Sequence, residues 1–319
     1  MRIYVTRRLP DPVIQKLESC GAVRFWDSQL PPPREVLLRE ARDADGIFCF
    51  LQEKIDRELL DHAPRLKVVS DCSVGYDNID VAACRARGVI ATHTPDVLTD
   101  TVADTTFALI LAAGRRILAA DRFLREGRWT HWEFSLFAGA DVHHATLGLL
   151  GMGRIARAVA RRAAGFDMSV IACGRRRPDD PSLDRSVEWV SLDELLERSD
   201  YLSVHVPLNE ETRKMIGRRE LALMKPTAYL INTARGGVID QAALFDALNE
   251  GTIAGAGLDV FEVEPLSADD PLTTLPNVVL LPHIGSASSR TRMAMADLAA
   301  RNLCEALAGR QPPCPIPGV

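Results

Sequence analysis

The chain has 319 residues, 47% of them hydrophobic and 25% charged, with a net charge of −5. Mean hydropathy is near zero. The longest apolar run, 107-FALILAAG-114, is too short to cross a bilayer. These values exclude a helical membrane protein and a broadly basic nucleic-acid binder, and they suit two domains of ordinary size.

The opening MRIYVT reads as a strand, so no signal peptide is expected. Short β-branched or aromatic runs follow at 22–26, 46–50, 67–72 and 89–93. Amphipathic stretches lie between them near 11–19, 34–42, 56–62 and 78–87. That alternation predicts a parallel sheet with helices on both faces. A long helix is predicted over about 97–119, then an aromatic stretch without clear period, 128-RWTHWEFSLFAGADVHH-144. A second alternation has strands at 146–151, 168–173, 201–206, 227–232, 253–260 and 278–282. A final helix is predicted over about 288–308. Seven cysteines (Cys20, Cys49, Cys72, Cys84, Cys173, Cys304 and Cys314) are scattered without a CxxC pair. They read as reduced thiols of a cytoplasmic protein.

The most informative motif is 148-GLLGMGRIARAVARRA-163, where a strand runs into Gly151-Met152-Gly153-Arg154-Ile155-Ala156 and a helix. This is the dinucleotide fingerprint. Gly151 makes the tight turn, Gly153 admits the pyrophosphate and Ala156 lets helix and strand approach. The phosphates would sit on N–H groups at the helix N-terminus. Taken alone, GxGxxA also describes a plain glycine-rich turn. About 20 residues on, a carboxylate normally holds the ribose 2′-hydroxyl of NAD. Here the place falls on Cys173-Gly174-Arg175, followed by Arg176 and Arg177. Arginine matches a phosphate bidentately and keeps its charge, so the 2′-phosphate of NADP fits and NADPH is expected over NADH. A solvated basic turn would carry the same residues.

The chain resembles the D-isomer-specific 2-hydroxyacid dehydrogenases over nearly its whole length. The segments are 74-VGYDNID-80, 94-TPDVLTDTVAD-104, the fingerprint, 204-VHVPLNEET-212, 231-INTARGGVID-240, 257-GLDVFEVEPL-266 and 282-PHIGSAS-288. Within the family the chain is most similar to the glyoxylate/hydroxypyruvate reductases and the 2-ketogluconate (2-ketoaldonate) reductases, and 141-DVHHATLGLLGMGRI-155 and 263-VEPLSADDPL-272 are the segments that resemble the latter. The resemblance implies an α/β fold of two doubly wound parallel-sheet (Rossmann/flavodoxin-like) domains with a cleft between them. Residues 1–98 plus 287–319 would form the substrate-binding (catalytic) domain, and 99–286 the NADP-binding Rossmann domain.

The implied activity is NADPH-dependent reduction of small 2-keto acids. Such a substrate needs an anchor for its carboxylate, polarisation of its carbonyl and a proton for the oxygen. Arg235 suits the first two as a planar cation. His283 suits the third, because imidazole gives and retakes protons near neutrality. The family pattern places its glutamate directly before a proline, so the resemblance implies Glu264, not Glu262, as the carboxylate that favours the imidazolium. The resemblance further implies substrate contacts at Leu51, Val74, Gly75 and Ser286. Cofactor contacts are implied at Gly151, Met152, Gly153, Arg154, Ile155, Gly174, Arg175, Arg176, Val206, Pro207, Thr212, Thr233, Ala234, Asp259 and Gly285, with Arg235 and His283 alongside. No metal is expected, since His143 and His144 have no matching ligand set. The exposed aromatics of 129–137 suit a homodimer arm or core packing. A non-enzymatic NAD(H)-sensing corepressor-like protein of this fold and an NAD-dependent phosphoglycerate dehydrogenase stay open as alternatives.

Overall fold

The structure is a computed structural model that describes residues 1–175, 177 and 187–318. The chain divides into two compact units, Met1–Leu98 with Ala287–Val319, and Thr99–Ser286.

In the first unit, five parallel strands stand in the order β2-β1-β3-β4-β5. They are β1 (Arg2–Val5), β2 (Ala22–Phe25), β3 (Gly46–Cys49), β4 (Val68–Asp71) and β5 (Ile90–Thr92). Helices α1 (Asp11–Glu18), α2 (Arg34–Ala41), α3 (Arg57–His62) and α4 (Val81–Ala86) make the crossovers. Every residue of β3 and β4 is buried, as in a sheet covered on both faces. Asp56 caps α3 through the Leu59 N–H, and Asp80 caps α4 through the Ala83 N–H. The chain's last helix, α11 (Ser289–Leu307), packs on β4, where Ser70 donates its hydroxyl to the Ala299 carbonyl at 2.8 Å.

The second unit holds seven parallel strands in the order β12-β11-β10-β9-β6-β7-β8. These are β6 (Thr146–Leu150), β7 (Ser169–Cys173), β8 (Val187–Trp189), β9 (Tyr201–Val204), β10 (Tyr229–Asn232), β11 (Gly255–Leu258) and β12 (Val278–Leu280). The helices are α5 (Thr99–Gly114), α6 (Ile117–Arg125), α7 (Arg154–Ala163), α8 (Leu192–Arg198), α9 (Arg218–Leu223) and α10 (Gln241–Asn249). The strand order reverses direction between β6 and β9, so their carboxyl ends flank the place where such sheets bind ligands. One core cluster joins α5 and α7 to β6 through Phe107, Leu109, Leu147, Leu149 and Val159. A second joins α8 and α10 to β9 and β10 through Leu195, Leu202, Leu230 and Leu244.

Three expectations are corrected. The helix predicted over 97–119 is two helices: Arg116 takes the left-handed conformation, φ 53°, and α6 starts afresh with no buried residue. Strand β8 was not foreseen, because three residues with one exposed member carry too little periodicity. The cysteines are not all thiols. Cys20, just past α1, and Cys304, on α11, form a disulfide across Cα atoms 5.6 Å apart. The two helices lie side by side, but the cysteines are 284 residues apart in sequence, so no local spacing announces the pair. Cys49, Cys72, Cys84, Cys173 and Cys314 take part in no disulfide among the described residues, and burial holds the first three thiols above their usual range.

Candidate active site

The candidate site residues of the second unit gather at the carboxyl ends of its strands. Gly151 follows β6 with φ +91°, a conformation open to glycine. A Cβ there would stand 2.8 Å from the His205 carbonyl oxygen, whereas one on Gly153 would meet nothing within 4 Å. The turn is therefore pressed against β9 on one side and open on the other. Gly153 begins α7 with no side-chain cap, and a helix N-terminus presents N–H groups that have no partner within the helix. Ala156 is fully buried in the helix–strand contact. Met152 is buried, Arg154 is exposed and Ile155 packs on the core. These features fit a dinucleotide pyrophosphate.

At the end of β7, the Cys173 carbonyl accepts from the Gly151 N–H at 2.7 Å. A Cβ on Gly174 would lie 3.8 Å from Gly151 and Met152. Arg175 is thus carried beside the turn. Its side chain is 80% exposed and lies 3.7 Å from the Glu211 carboxylate, a weak pair in solvent. Arg176 lies outside the described residues. Val206 and Pro207 follow β9. Thr212 points back into its own loop, donating its hydroxyl to the Pro207 carbonyl at 2.6 Å.

The residues expected to form the acid–base group follow β10, β11 and β12. A Cβ on Gly236 would run into the Phe261 backbone. Only glycine therefore lets the 233–237 turn close on the segment after β11. Asn232, fully buried, locks that turn by accepting from the Ala234 N–H at 3.0 Å and donating to the Arg235 carbonyl at 2.9 Å. Thr233 shares a 3.0 Å hydroxyl contact with Thr106 of α5. Past β12, His283 takes φ 52°, and its Nδ1–H donates to Glu264 Oε2 at 2.6 Å. Burial pushes the Glu264 carboxyl up. The hydrogen bond and charge of His283, the Phe261 N–H and the charge of Arg235 outweigh it, so the group ends below the usual carboxylate range. Glu262 instead faces Lys214 at 2.9 Å, which separates the two glutamates. Asp259 is 1% exposed and accepts from the Ile284 and Gly285 N–H groups, each at 2.7 Å. Burial raises its pKa despite those bonds. Ser286 ends the unit, half-buried.

Leu51, Val74 and Gly75 belong to the first unit. Leu51 is half-buried in a loop clamped by Glu53, which accepts from the Phe50 N–H at 2.8 Å and pairs with buried Arg7 at 2.8 Å. Val74 and Gly75 follow β4 in a tight turn beside His93. Among the described residues, no group of three or more His, Cys, Asp or Glu could hold a metal ion. Among the described residues, no helix is long and apolar enough to cross a membrane.

Asn232, Thr106 and His205 were not singled out from the sequence. Asn232 ends an apolar run just before the glycines, the one signal available for it. His205 makes a 2.9 Å contact with Ser203, and burial pushes its pKa down to about 4.

Residues 107–285 match the model of the D-isomer-specific 2-hydroxyacid dehydrogenase NAD-binding domain. The chain is 49% identical over 313 residues to a glyoxylate reductase of Korarchaeum cryptofilum, covering 98% of this chain and 94% of that protein. A crystal structure of a Thermus thermophilus protein superposes with TM-score 0.93 at 44% identity, over 99% of this chain and 100% of that one. The NADPH-dependent glyoxylate/hydroxypyruvate reductase of Sinorhizobium meliloti, solved with NADP and malonate, superposes with TM-score 0.85 at 36% identity, over 99% and 97%. The chain belongs to the D-isomer-specific 2-hydroxyacid dehydrogenase family. It is an NAD(P)-dependent oxidoreductase of that family.

Because Asp259 alone ties both N–H groups after His283, Asp259→Asn should loosen that turn. An amide side chain offers one acceptor oxygen in place of two. Losing one charged hydrogen bond costs about 1.5–3 kcal/mol. Hydrogen exchange of peptides spanning Ile284 and Gly285 should then quicken by roughly tenfold or more. Unchanged protection in that segment would show that other contacts hold the turn.

Proposed function

We propose that the protein reduces small 2-keto acids such as glyoxylate, hydroxypyruvate and 2-ketogluconate to D-2-hydroxy acids with NADPH. The observation that carries the reading is the 2.6 Å bond from His283 Nδ1 to Glu264, with Arg235 close enough to bias the same carboxylate. A bound nicotinamide supplies the hydride. Arg235 anchors the substrate carboxylate and draws electron density from the carbonyl. Glu264 fixes the imidazole by its Nδ1, which leaves Nε2 to give the carbonyl oxygen its proton. The open Gly151–Ile155 turn at the start of α7 receives the pyrophosphate, with Val206, Pro207, Thr233, Ala234 and Gly285 along the cofactor. Relatives named glyoxylate reductase at this level of identity support the substrate class.

The preference for NADPH rests on Arg175 and the absence of a carboxylate at the end of β7. A homodimer is supported by α6, which has no buried residue, and by Trp132 and Phe134, 74% and 91% exposed. A cytoplasmic location goes with the free thiols, and the Cys20–Cys304 bond stands against it.

Absorbance decay of NADPH and of NADH with the three keto acids tests the reading. Absence of turnover with all of them would sink it. His283→Ala should lower kcat by about 10²–10⁴-fold while the NADPH dissociation constant stays near wild type. Glu264→Gln should shift the pH profile of reduction to lower pH. Burial raises the Glu264 carboxyl, but the hydrogen bond and charge of His283 lower it further, so the charged carboxylate is favoured beside the ring and glutamine removes that charge. The ring proton is then easier to lose, and activity falls earlier as pH rises. An unshifted profile would break the pair.

Arg175→Ala with Arg176→Ala should weaken NADPH binding and leave NADH binding little changed. Charged contacts contribute about 1.5–3 kcal/mol each, and screening at an exposed arginine favours the lower end, roughly tenfold in affinity per contact. Equal dissociation constants for both cofactors in the wild type would make the loop a solvated basic turn.

A further inference from the structure

We infer that His93 is a positioning residue for the substrate carboxylate, acting through the Val74–Gly75 peptide. The inference rests on the proposed 2-keto acid reading and concerns a residue that the reading does not use.

Strands β4 and β5 lie side by side, with Ser70 paired to Thr92, so the loops after them run together. Three successive carbonyls of the first loop are tied down. The Ser73 carbonyl accepts from the Thr94 N–H at 2.7 Å and the Thr94 hydroxyl at 3.0 Å. The Val74 carbonyl accepts from His93 Nδ1 at 2.9 Å, and the Gly75 carbonyl from the Ser73 hydroxyl at 2.5 Å. A trans peptide points its C=O and the next N–H in opposite directions. Each tied carbonyl therefore fixes the direction of the following N–H. The N–H groups of Val74, Gly75 and Tyr76 meet no acceptor among the described residues. Successive N–H groups presented this way form an anion-binding concavity, and a carboxylate is the anion of a 2-keto acid.

His93 sets the middle peptide, the one whose N–H belongs to Gly75. Its own backbone is clamped. The His93 N–H donates to the Cys314 carbonyl at 3.1 Å, and its carbonyl accepts from Asn302 Nδ2 at 2.9 Å. Asn302, fully buried on α11, also accepts from the Cys314 N–H at 3.0 Å. The Tyr76 ring stands edge-on to the imidazole at 5.4 Å and limits its rotation. The ring is thus held in place from both ends of the first unit's chain.

Three variants of the full-length enzyme test this. His93→Phe keeps a ring against Tyr76 and removes the donor. His93→Ala removes both. His93→Asn keeps an N–H at the atom corresponding to Nδ1. With NADPH saturating, Phe and Ala should raise the KM for glyoxylate about three- to tenfold, the range for one net hydrogen bond. In these variants kcat, the NADPH dissociation constant and the thermal midpoint should stay near wild type. Asn should restore the KM. Calorimetric titration with oxalate reads the same contact without turnover, so it decides the inference even for a chain that fails to reduce glyoxylate. A wild-type KM and oxalate affinity in His93→Phe would overturn it. So would a loss shared by KM, kcat and thermal midpoint that Asn does not repair.

Discussion

The two oxygens of Asp259 each accept one backbone N–H of the segment after His283, and the rest of the acid–base arrangement depends on that pair of bonds. His283 stands in the left-handed region, which is unfavourable for a residue with a Cβ. Its N–H is taken by the Asp259 carbonyl at 2.9 Å. Asp259 therefore holds the histidine from below with its main chain and from beyond with its side chain. With the backbone fixed, the imidazole reaches Glu264 across 19 residues of chain and needs no further partner to define its orientation.

The same constraint explains why the site is assembled from residues far apart in sequence. In a parallel sheet every strand ends at the same edge, so β6, β9, β10, β11 and β12 deliver Gly151, Val206, Thr233, Asp259 and His283 to one side of the unit. Glycines then set the spacing. At Gly151 the limit is the His205 carbonyl, and at Gly236 it is the Phe261 backbone. Small residues here act as distance restraints between loops, and a methyl group at either place would push apart the segments that hold the candidate site.

Much of this was legible in the sequence, and the boundary has a physical basis. The buried parallel strand β3 is a continuous apolar run and stands out locally, and β4 and β9, each with a buried serine, still open on paired apolar residues. The GxGxxA turn and the glycines after Arg235 announce backbone conformations or close approaches that few other residues allow. What could not be read depends on contacts distant in sequence. The Cys20–Cys304 bond joins helices at opposite ends of the chain. The break between α5 and α6 turns on one left-handed arginine, a residue with no propensity to mark it. Thr106 reaches Thr233 across 127 residues of chain, and Asn232 ties the turn that follows it through the Ala234 N–H and the Arg235 carbonyl. Neither residue type is unusual where it stands. The side of the Val74–Gly75 peptide that faces outward follows from a histidine 19 residues later, and only the register of β4 and β5 brings the two together.

Two carboxylates close to one histidine have opposite responses to their surroundings. Asp259 is almost wholly enclosed, so desolvation dominates and its pKa rises even though two N–H groups favour the charged form. Glu264 is buried too, but it faces the imidazole and feels Arg235, and its pKa falls. Equal chemistry is thus divided by environment. A charge that is costly to keep is used on neutral amides, where its geometry matters most. A charge that is cheap to keep is set against the imidazole. Exchanging the two surroundings would place a reluctant anion beside the imidazole and leave the histidine's backbone without its tether. The arrangement therefore depends on which carboxylate is enclosed as much as on there being two.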